Sequence, residues 1–309
     1  TAAAIAKRAY GDEKSECVVI ARDDAYYDAL SGAGLAGLLG APILLTGTSE
    51  LSGACRDAIA SLGATKAVIL GGPNAVSEGV RGELADLLGG SEHVERVAGD
   101  DVYGTSMACT RYLLDNGGSQ RYAIACNPTS FADAVSISGW AYANKAPVML
   151  QTWGDTAAER GFDAEAASVI AGRELIVCGG KLAVSDESVS GLGAERVTRL
   201  GGDTIYDTSR TIAEWELGPG MSASDVAVAS SIYDFNGVDA LAASALAGRR
   251  GGVVLLAQSN PDYDEPGEST DMALSFIKGR KDKIRNVYVL GGEVAQTPEF
   301  YRQVEDALS

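Results

Sequence analysis

One phrase is written three times in this chain, and it constrains the fold more than anything else: Ala67-Val-Ile-Leu-Gly-Gly72, Leu175-Ile-Val-Cys-Gly-Gly180 and Val287-Tyr-Val-Leu-Gly-Gly292. Each copy is a short apolar run that stops on a glycine pair. A small polar segment follows: Pro73-Asn-Ala-Val-Ser77, Lys181-Leu-Ala-Val-Ser185 and Glu293-Val-Ala-Gln-Thr297. The spacings, 108 and 112 residues, imply one module in triplicate, and 309 residues give each copy room for a core of its own.

The rest of the module repeats with the phrase. Alanine-rich helices are expected to start at Thr1, Thr105 and Thr208, with the threonine as N-cap. Buried-strand runs follow at Cys17–Ala21, Tyr122–Cys126 and Val226–Ser230. Next come Asp28-Ala-Leu30, Asp133-Ala-Val135 and Asp239-Ala-Leu241, each opening a helix rich in Ala, Gly and Ser. A second strand ends seventeen residues past each aspartate, at Leu45, Leu150 and Leu256. Apolar runs without alternation fit strands buried on both faces of a parallel sheet. Strands alternating with helices imply right-handed βαβ units, hence an α/β chain of three tandem Rossmann-like parallel-sheet αβα modules at 1–104, 105–207 and 208–309. The first two copies close on matching segments, Val94–Thr105 and Val197–Thr208, and the third has no such segment. The expectation is that the closing strand ties its module to the next module's first helix, and that a segment upstream of Thr1 serves the third.

Net charge is −17, which argues against nucleic-acid binding. No apolar run approaches the ~20 residues needed to cross a bilayer, so no membrane insertion is expected. The chain opens on Thr1 rather than methionine, and an export signal cut away or lying outside this sequence is the expected reason. Five cysteines show no Cys-x-x-Cys pairing, and Cys17, Cys126 and Cys178 fall in predicted buried strands, where cysteine acts as a small hydrophobe. The single histidine, His93, sits in a polar stretch and is expected in an exposed loop.

Four segments carry a resemblance to a known family: Tyr26-Tyr-Asp-Ala-Leu30, Ala41-Pro-Ile-Leu-Leu-Thr46, Val68-Ile-Leu-Gly-Gly72 and Arg96-Val-Ala-Gly-Asp-Asp-Val-Tyr-Gly-Thr105. Together they resemble the cell wall-binding repeat 2 family of Gram-positive surface proteins, over the whole chain. The family commonly places arginine before the junction tyrosine, where this chain has Val102 and Ile205. The resemblance implies three modules arranged with pseudo-threefold symmetry at the extracellular cell-wall surface. It also implies a cell-wall secondary polymer as partner, bound in grooves between modules, and an effector domain of the same polypeptide outside these residues. An acidic chain repels an anionic polymer unless basic residues cluster or cations bridge the two. Hence either a locally basic groove, a bridging divalent cation or a less charged ligand is expected; no other cofactor and no protein-held metal is.

Several residues are candidates for ligand contact. Asp28, Asp133 and Asp239 follow the first strand of each module, at the carboxyl edge where parallel sheets bind ligands, yet a carboxylate there also serves a helix N-terminus. Tyr26 and Phe131 stand two residues before their aspartates, and the third copy has Gly237 instead. Trp153 follows the strand Val148–Leu150, where its ring could stack on a sugar or cover a hydrophobic edge. The glycine pairs read as tight turns or as anion nests, although no Gly-x-Gly-x-x-Gly and no Walker lysine accompanies them. Trp140 and Trp215 lie in predicted helices and read as core.

The third copy has an insertion, with 35 residues from Leu256 to Gly291 against 26 and 29 in the others. Its acidic part, Pro261–Asp271, lacks the order of a calcium loop. Its basic part, with Lys278, Arg280, Lys281, Lys283 and Arg285, is the densest positive cluster in the chain. It is either a solvated helix end or the contact for an anionic polymer.

These features favour non-catalytic anchoring on a glycopolymer. An enzyme acting on a nucleotide or sugar-phosphate would need a fingerprint or a convergent acid–base set, and a protein-interaction scaffold would need a large apolar patch.

Overall fold

The computed structural model describes residues 1–154, 156, 159–231, 238–260 and 266–309, without the side chains of 238–239 and 266–268. It contains three parallel sheets, one per repeat. The first has strands β1 (Cys17–Arg22), β2 (Ile43–Thr46), β3 (Lys66–Leu70) and β4 (Val94–Val97) in the order β2-β1-β3-β4. The second has β5 (Tyr122–Cys126), β6 (Val148–Leu150), β7 (Glu174–Cys178) and β8 (Arg196–Leu200) in the order β6-β5-β7-β8. The third has β9 (Asp225–Ser230), β10 (Val253–Ala257) and β11 (Asn286–Val289) in the order β10-β9-β11. All pairings are parallel. The predicted α/β class and the three modules are therefore what the chain forms. The order in which strands are added reverses between the first and third strands of each sheet, the topological switch point at which such sheets open a crevice.

The alanine- and glycine-rich helices meet where the three modules join. Gly32–Leu39, Ser138–Asn144 and Ala243–Arg250 come one from each module, and small residues let their backbones approach. A Cβ on Gly34 or Gly37 would run into the carbonyls of Ala146 or Tyr142, and one on Gly139 would come within 2.8 Å of Ala247 Cβ. Side chains seal the rim of this axis. Tyr10 and Tyr142 hydroxyls lie 3.2 Å apart, and Arg249 from the third module sits 4.1 Å over the Tyr10 ring. Trp140 is fully buried, edge-on to Trp215 at 5.2 Å between centroids, so the expected core role holds for Trp140, while Trp215 is half-buried and packs against the core from its border. One hydrophobic core runs through all three modules, with a smaller cluster inside the second.

The helices expected to begin at the threonines begin earlier. They are Val102–Asp115 and Ile205–Glu216, capped by Asp101 and Thr204, so they run across the 104/105 and 207/208 divisions. Thr1 does precede the helix Ala2–Tyr10 but makes no side-chain cap bond. Thr105 and Thr208 are instead buried inside their helices and accept hydrogen bonds from the Gly99 and Gly202 amides, at 3.3 and 3.0 Å. The next residue binds in the other direction: Ser106 and Ser209 hydroxyls accept from the amides of Leu150 and Leu256, at 3.1 and 2.9 Å. A Thr-Ser pair thus ties each junction helix backward to its own module and forward to the next.

The helix expected after each aspartate is also broken in two, as in Tyr27–Leu30 followed by Gly32–Leu39. After the glycine pairs, Ser77, Ser185 and Thr297 each cap a helix through the side-chain oxygen, at 3.0–3.3 Å. The polar segments repeated in the sequence are these caps. Cys17, Cys126 and Cys178 lie buried in strands as expected, and His93 ends a one-turn helix at Ser91–His93, partly exposed.

Candidate functional site

The glycine pair and the aspartate motif turn out to be one device. Gly71 and Gly179 have φ of 89° and 104°, a backbone region that side chains with a Cβ rarely adopt. Each also faces an aspartate: a Cβ on Gly179 would lie 2.6 Å from Asp133 Oδ2, and one on Gly71 would collide with Asp28 Oδ2. The glycine is needed both for its turn and for the carboxylate beside it. The place an anion would take in a nest is held by the protein's own acid. Gly291 repeats the turn with φ of 111°. Asp239 lies in the helix Val238–Leu241, and its side chain is outside the described residues.

Cavities open above these carboxylates at the carboxyl ends of the strands. In the second module, about 530 Å³ is bounded by Ser130, Asp133, Lys181, Leu182, Thr204 and Thr208. In the first, about 360 Å³ is bounded by Arg22, Asp28, Asn74, Asp100, Asp101 and Thr105. These are the same place in two copies, in the size range of small-ligand sites. Their electrostatics differ. Burial pushes the Asp133 carboxyl up to about 6, only partly opposed by a hydrogen bond from Ser130. Its Oδ2 is buried with no hydrogen-bond partner. Burial also raises Asp28, and there the Thr105 hydroxyl and the Arg22 charge oppose the rise.

A third opening, of about 330 Å³, lies between the first two modules. Tyr27, Asp101, Val102 and Tyr103 form one wall, and Pro128, Gln151 and Trp153 the other. Trp153 is 65% exposed, the reverse of what an aromatic covering a hydrophobic edge would show. Gln151 is fixed from behind, its Nε2 donating to the Ala183 carbonyl at 2.7 Å. Tyr27 leads inward from the cleft as the outer ring of a column. Its centroid is 4.4 Å from that of Tyr26, which in turn is 5.6 Å from that of Phe131. Tyr26 and Phe131 are buried, 7% and 0% exposed, and position the wall of the cleft from within. Of the residues lining this cleft, Trp153 was the one the sequence singled out for ligand contact; Tyr27 and Tyr103 lay inside the quoted repeat segments without an assigned role, and Pro128 lay outside them.

The basic cluster sits elsewhere. It runs from the end of the helix Pro266–Lys278 to the start of β11, at the amino ends of the strands, opposite the cavities. Arg280 pairs with Glu214 at 3.5 Å and lies 4.1 Å over the Phe276 ring, Arg285 reaches Asp225 at 3.4 Å, and Lys281 donates to the Ser309 carbonyl at 2.9 Å. Lys278 and Lys283 are exposed. Of the acidic insertion, residues 261–265 lie outside the described residues. Among the described residues no group of three His, Cys, Asp or Glu side chains converges as a metal site.

Comparison with known proteins agrees with this architecture. The family model for cell wall binding domain 2 matches residues 1–81, 96–189 and 199–300. The chain is 24% identical over 309 residues to N-acetylmuramoyl-L-alanine amidase LytC of Bacillus subtilis (strain 168), covering 99% of this chain and 56% of that protein. Among solved structures, Cwp8 from Clostridium difficile superposes with a TM-score of 0.82 at 25% identity, over 99% of this chain and 49% of Cwp8. Cwp6 from the same organism gives 0.78 at 19% identity, over 100% of this chain and 46% of Cwp6, a likeness of fold. The chain thus spans about half the length of the relatives it matches.

Proposed function

The chain belongs to the cell wall binding domain 2 family, a cell-wall binding region, and on that premise we propose that it holds its protein on a secondary glycopolymer through the cleft between the first and second modules. The observation that carries this reading is Trp153. A flat ring that is 65% exposed, opposite Tyr27, Val102 and Tyr103, forms a slot of about 330 Å³ whose mostly apolar walls also carry Asp101 and Gln151. Sugar rings have one apolar face and a polar rim, and a slot of this kind matches both. The carboxylates of the two neighbouring cavities then meet hydroxyls of the same polymer, or a divalent cation that bridges to its charged groups. Arg280 and Arg285 in the basic cluster are already matched by Glu214 and Asp225, which leaves less positive charge there for a polyanion.

The region is non-catalytic in this proposal, and an effector domain outside it carries any chemistry. The name of LytC as an amidase, with this chain covering 56% of it, supports that division. Binding is multivalent, since cavities repeated on one rigid frame meet successive units of a repeating polymer. Cosedimentation with purified Gram-positive walls tests the reading, before and after acid extraction of secondary polymers and with or without calcium. Binding lost on extraction, and weakened about tenfold by Trp153→Ala, is expected from the loss of a stacked ring worth about 1 kcal/mol or more. Undiminished binding of Trp153→Ala would move the polymer out of the cleft. Calcium dependence would assign the cavities a bridging ion.

A further inference from the structure

Two cysteines of the second module stand side by side where its crevice opens. In β5 and β7 the paired residues run from Tyr122 opposite Glu174 to Ala125 opposite Val177. The next step of the same parallel register sets Cys126 opposite Cys178, the last residue of each strand. Residues directly opposite in a parallel pair share a face of the sheet about 4.8 Å apart, within the Cα separation that a disulfide bridges. Both cysteines are fully buried. Their thiols act on one another directly. Burial drives the Cys178 thiol well above its ordinary value, and the Cys126 side chain adds to the rise through a hydrogen bond and like charge.

The repeat singles this pair out. In the first module the register from Cys17 opposite Lys66 to Ile20 opposite Ile69 leads on to Ala21 opposite Leu70. In the third, the register from Asp225 opposite Asn286 to Val228 opposite Val289 leads on to Ala229 opposite Leu290. Those two modules fill the position with a small and a large apolar side chain, all of them buried. The second module changes both members together, to cysteine. A single buried cysteine acts as a small hydrophobe, but two placed face to face at one register position are a different case. The remaining cysteines are not so placed. Cys17 stands opposite Lys66, and Cys55 and Cys109 lie on the helices Gly53–Leu62 and Val102–Asp115. The pair also underlies the second-module cavity. Cys178 is followed by Gly179, whose turn faces Asp133, and by Gly180, which lines the cavity. Cys126 is followed by Asn127, whose amide holds the Ala183 carbonyl of the same lining at 3.0 Å.

We propose that Cys126 and Cys178 are a disulfide site, joined across β5 and β7 when the chain folds in an oxidising extracellular setting, and that the bond locks the strand ends beneath the second-module cavity. The structure shows the dithiol form. The oxidant is an organic disulfide. One cysteine thiolate attacks a sulfur of this donor and releases its first thiol, and the second thiolate attacks the resulting mixed disulfide and releases the other. The two protein thiols give up two protons and two electrons, and the donor takes up both as two thiols. Because both sulfurs are buried in the finished sheet, the exchange takes place before β5 and β7 close over them, and the finished bond is shielded from reductant.

The test refolds the 309-residue chain with oxidised and reduced glutathione, then denatures it in excess iodoacetamide and weighs it intact. Three of the five cysteines should be alkylated, with residues 126 and 178 joined in the peptide map. The joined residues are 52 positions apart, so the link restrains a long loop of the unfolded chain. Reductant present during denaturation should therefore lower the urea midpoint by about 1 M. The double variant Cys126→Ala with Cys178→Leu copies the pair found in the other two modules. It should fold and lose the dependence of its midpoint on reductant. Five alkylated cysteines in the refolded parent chain would overturn the proposal, as would a bond mapped to any other pair. So would a double variant as sensitive to reductant as the parent, because the effect would then belong to Cys17, Cys55 or Cys109.

Discussion

The first and second modules hold the same aspartate against the same glycine turn, yet in different charge environments. Six residues before Asp28 stands Arg22, and six residues before Asp133 stands Asn127. Arg22 lends Asp28 a positive charge, and Thr105 adds a hydrogen bond. Asn127 spends its own groups on the loop, its amide donating to the Ala183 carbonyl at 3.0 Å and its Oδ1 accepting from Thr129 at 2.9 Å. Asp133 is left 3% exposed with Ser130 as its opposing partner and titrates near 6. A repeated motif therefore fixes where a carboxylate sits, and the residues around it decide how tightly it holds its proton.

Three measurements bear on this contrast, and the largest effect tests what the two modules share. Gly179→Ala adds a Cβ to a turn with φ of 104° and drives it to 2.6 Å from a buried carboxylate. Strain and overpacking together should cost about 4 kcal/mol, with a similar loss for Gly71→Ala, read from urea denaturation midpoints. A loss below about 1 kcal/mol would mean that glycine and aspartate do not touch.

The next effect separates the modules through pH. Asp133 has a folded pKa of about 6 against the ordinary 3.8, a rise, so the folded state holds its proton more tightly than the unfolded state does. The stability this contributes is full below about pH 4 and is lost as pH climbs through 6, by about 2–3 kcal/mol. Asp133→Asn should match the parent protein at pH 3.5 and exceed it by that amount at pH 8, and Asp28→Asn should show a smaller gap. Equal gaps would erase the contrast. The smallest effect tests its cause. Asn127→Arg should lower the Asp133 pKa by about one unit in a carboxyl-carbon titration, and Arg22→Asn should raise that of Asp28.

Periodicity exposed whatever in this fold repeats within a module. The apolar runs became strands, and Ser77, Ser185 and Thr297 became caps, because each is decided largely by its own neighbours in the chain. What depends on contacts between distant segments was harder to see. The partnership of Gly71 with Asp28 joins motifs forty-three residues apart, and each had its own local explanation as turn or helix-terminus charge. Thr105 resembled a cap because caps and buried tethers use the same hydroxyl; the deeper start at Val102 follows from Asp101, whose carboxylate accepts from the Gly104 amide at 2.6 Å. Trp153 was picked out by its place after a strand, but Tyr27 and Pro128 gained their role only when two modules met.

The glycines at the centre have a consequence for how such a gene can change. Gly34 and Gly37 admit the second module, Gly139 admits the third, and Gly248 packs back on the second, where a Cβ would come 2.5 Å from Tyr142 Cδ1. Each copy is a sector of a closed rotation rather than a bead on a string, and three sectors complete the turn. A fourth copy appended to the end would find no vacant place around the axis, and deleting one would leave bare backbone facing water. The three copies therefore pack as one unit, and loss of any one of them uncovers the contact glycines of its neighbours.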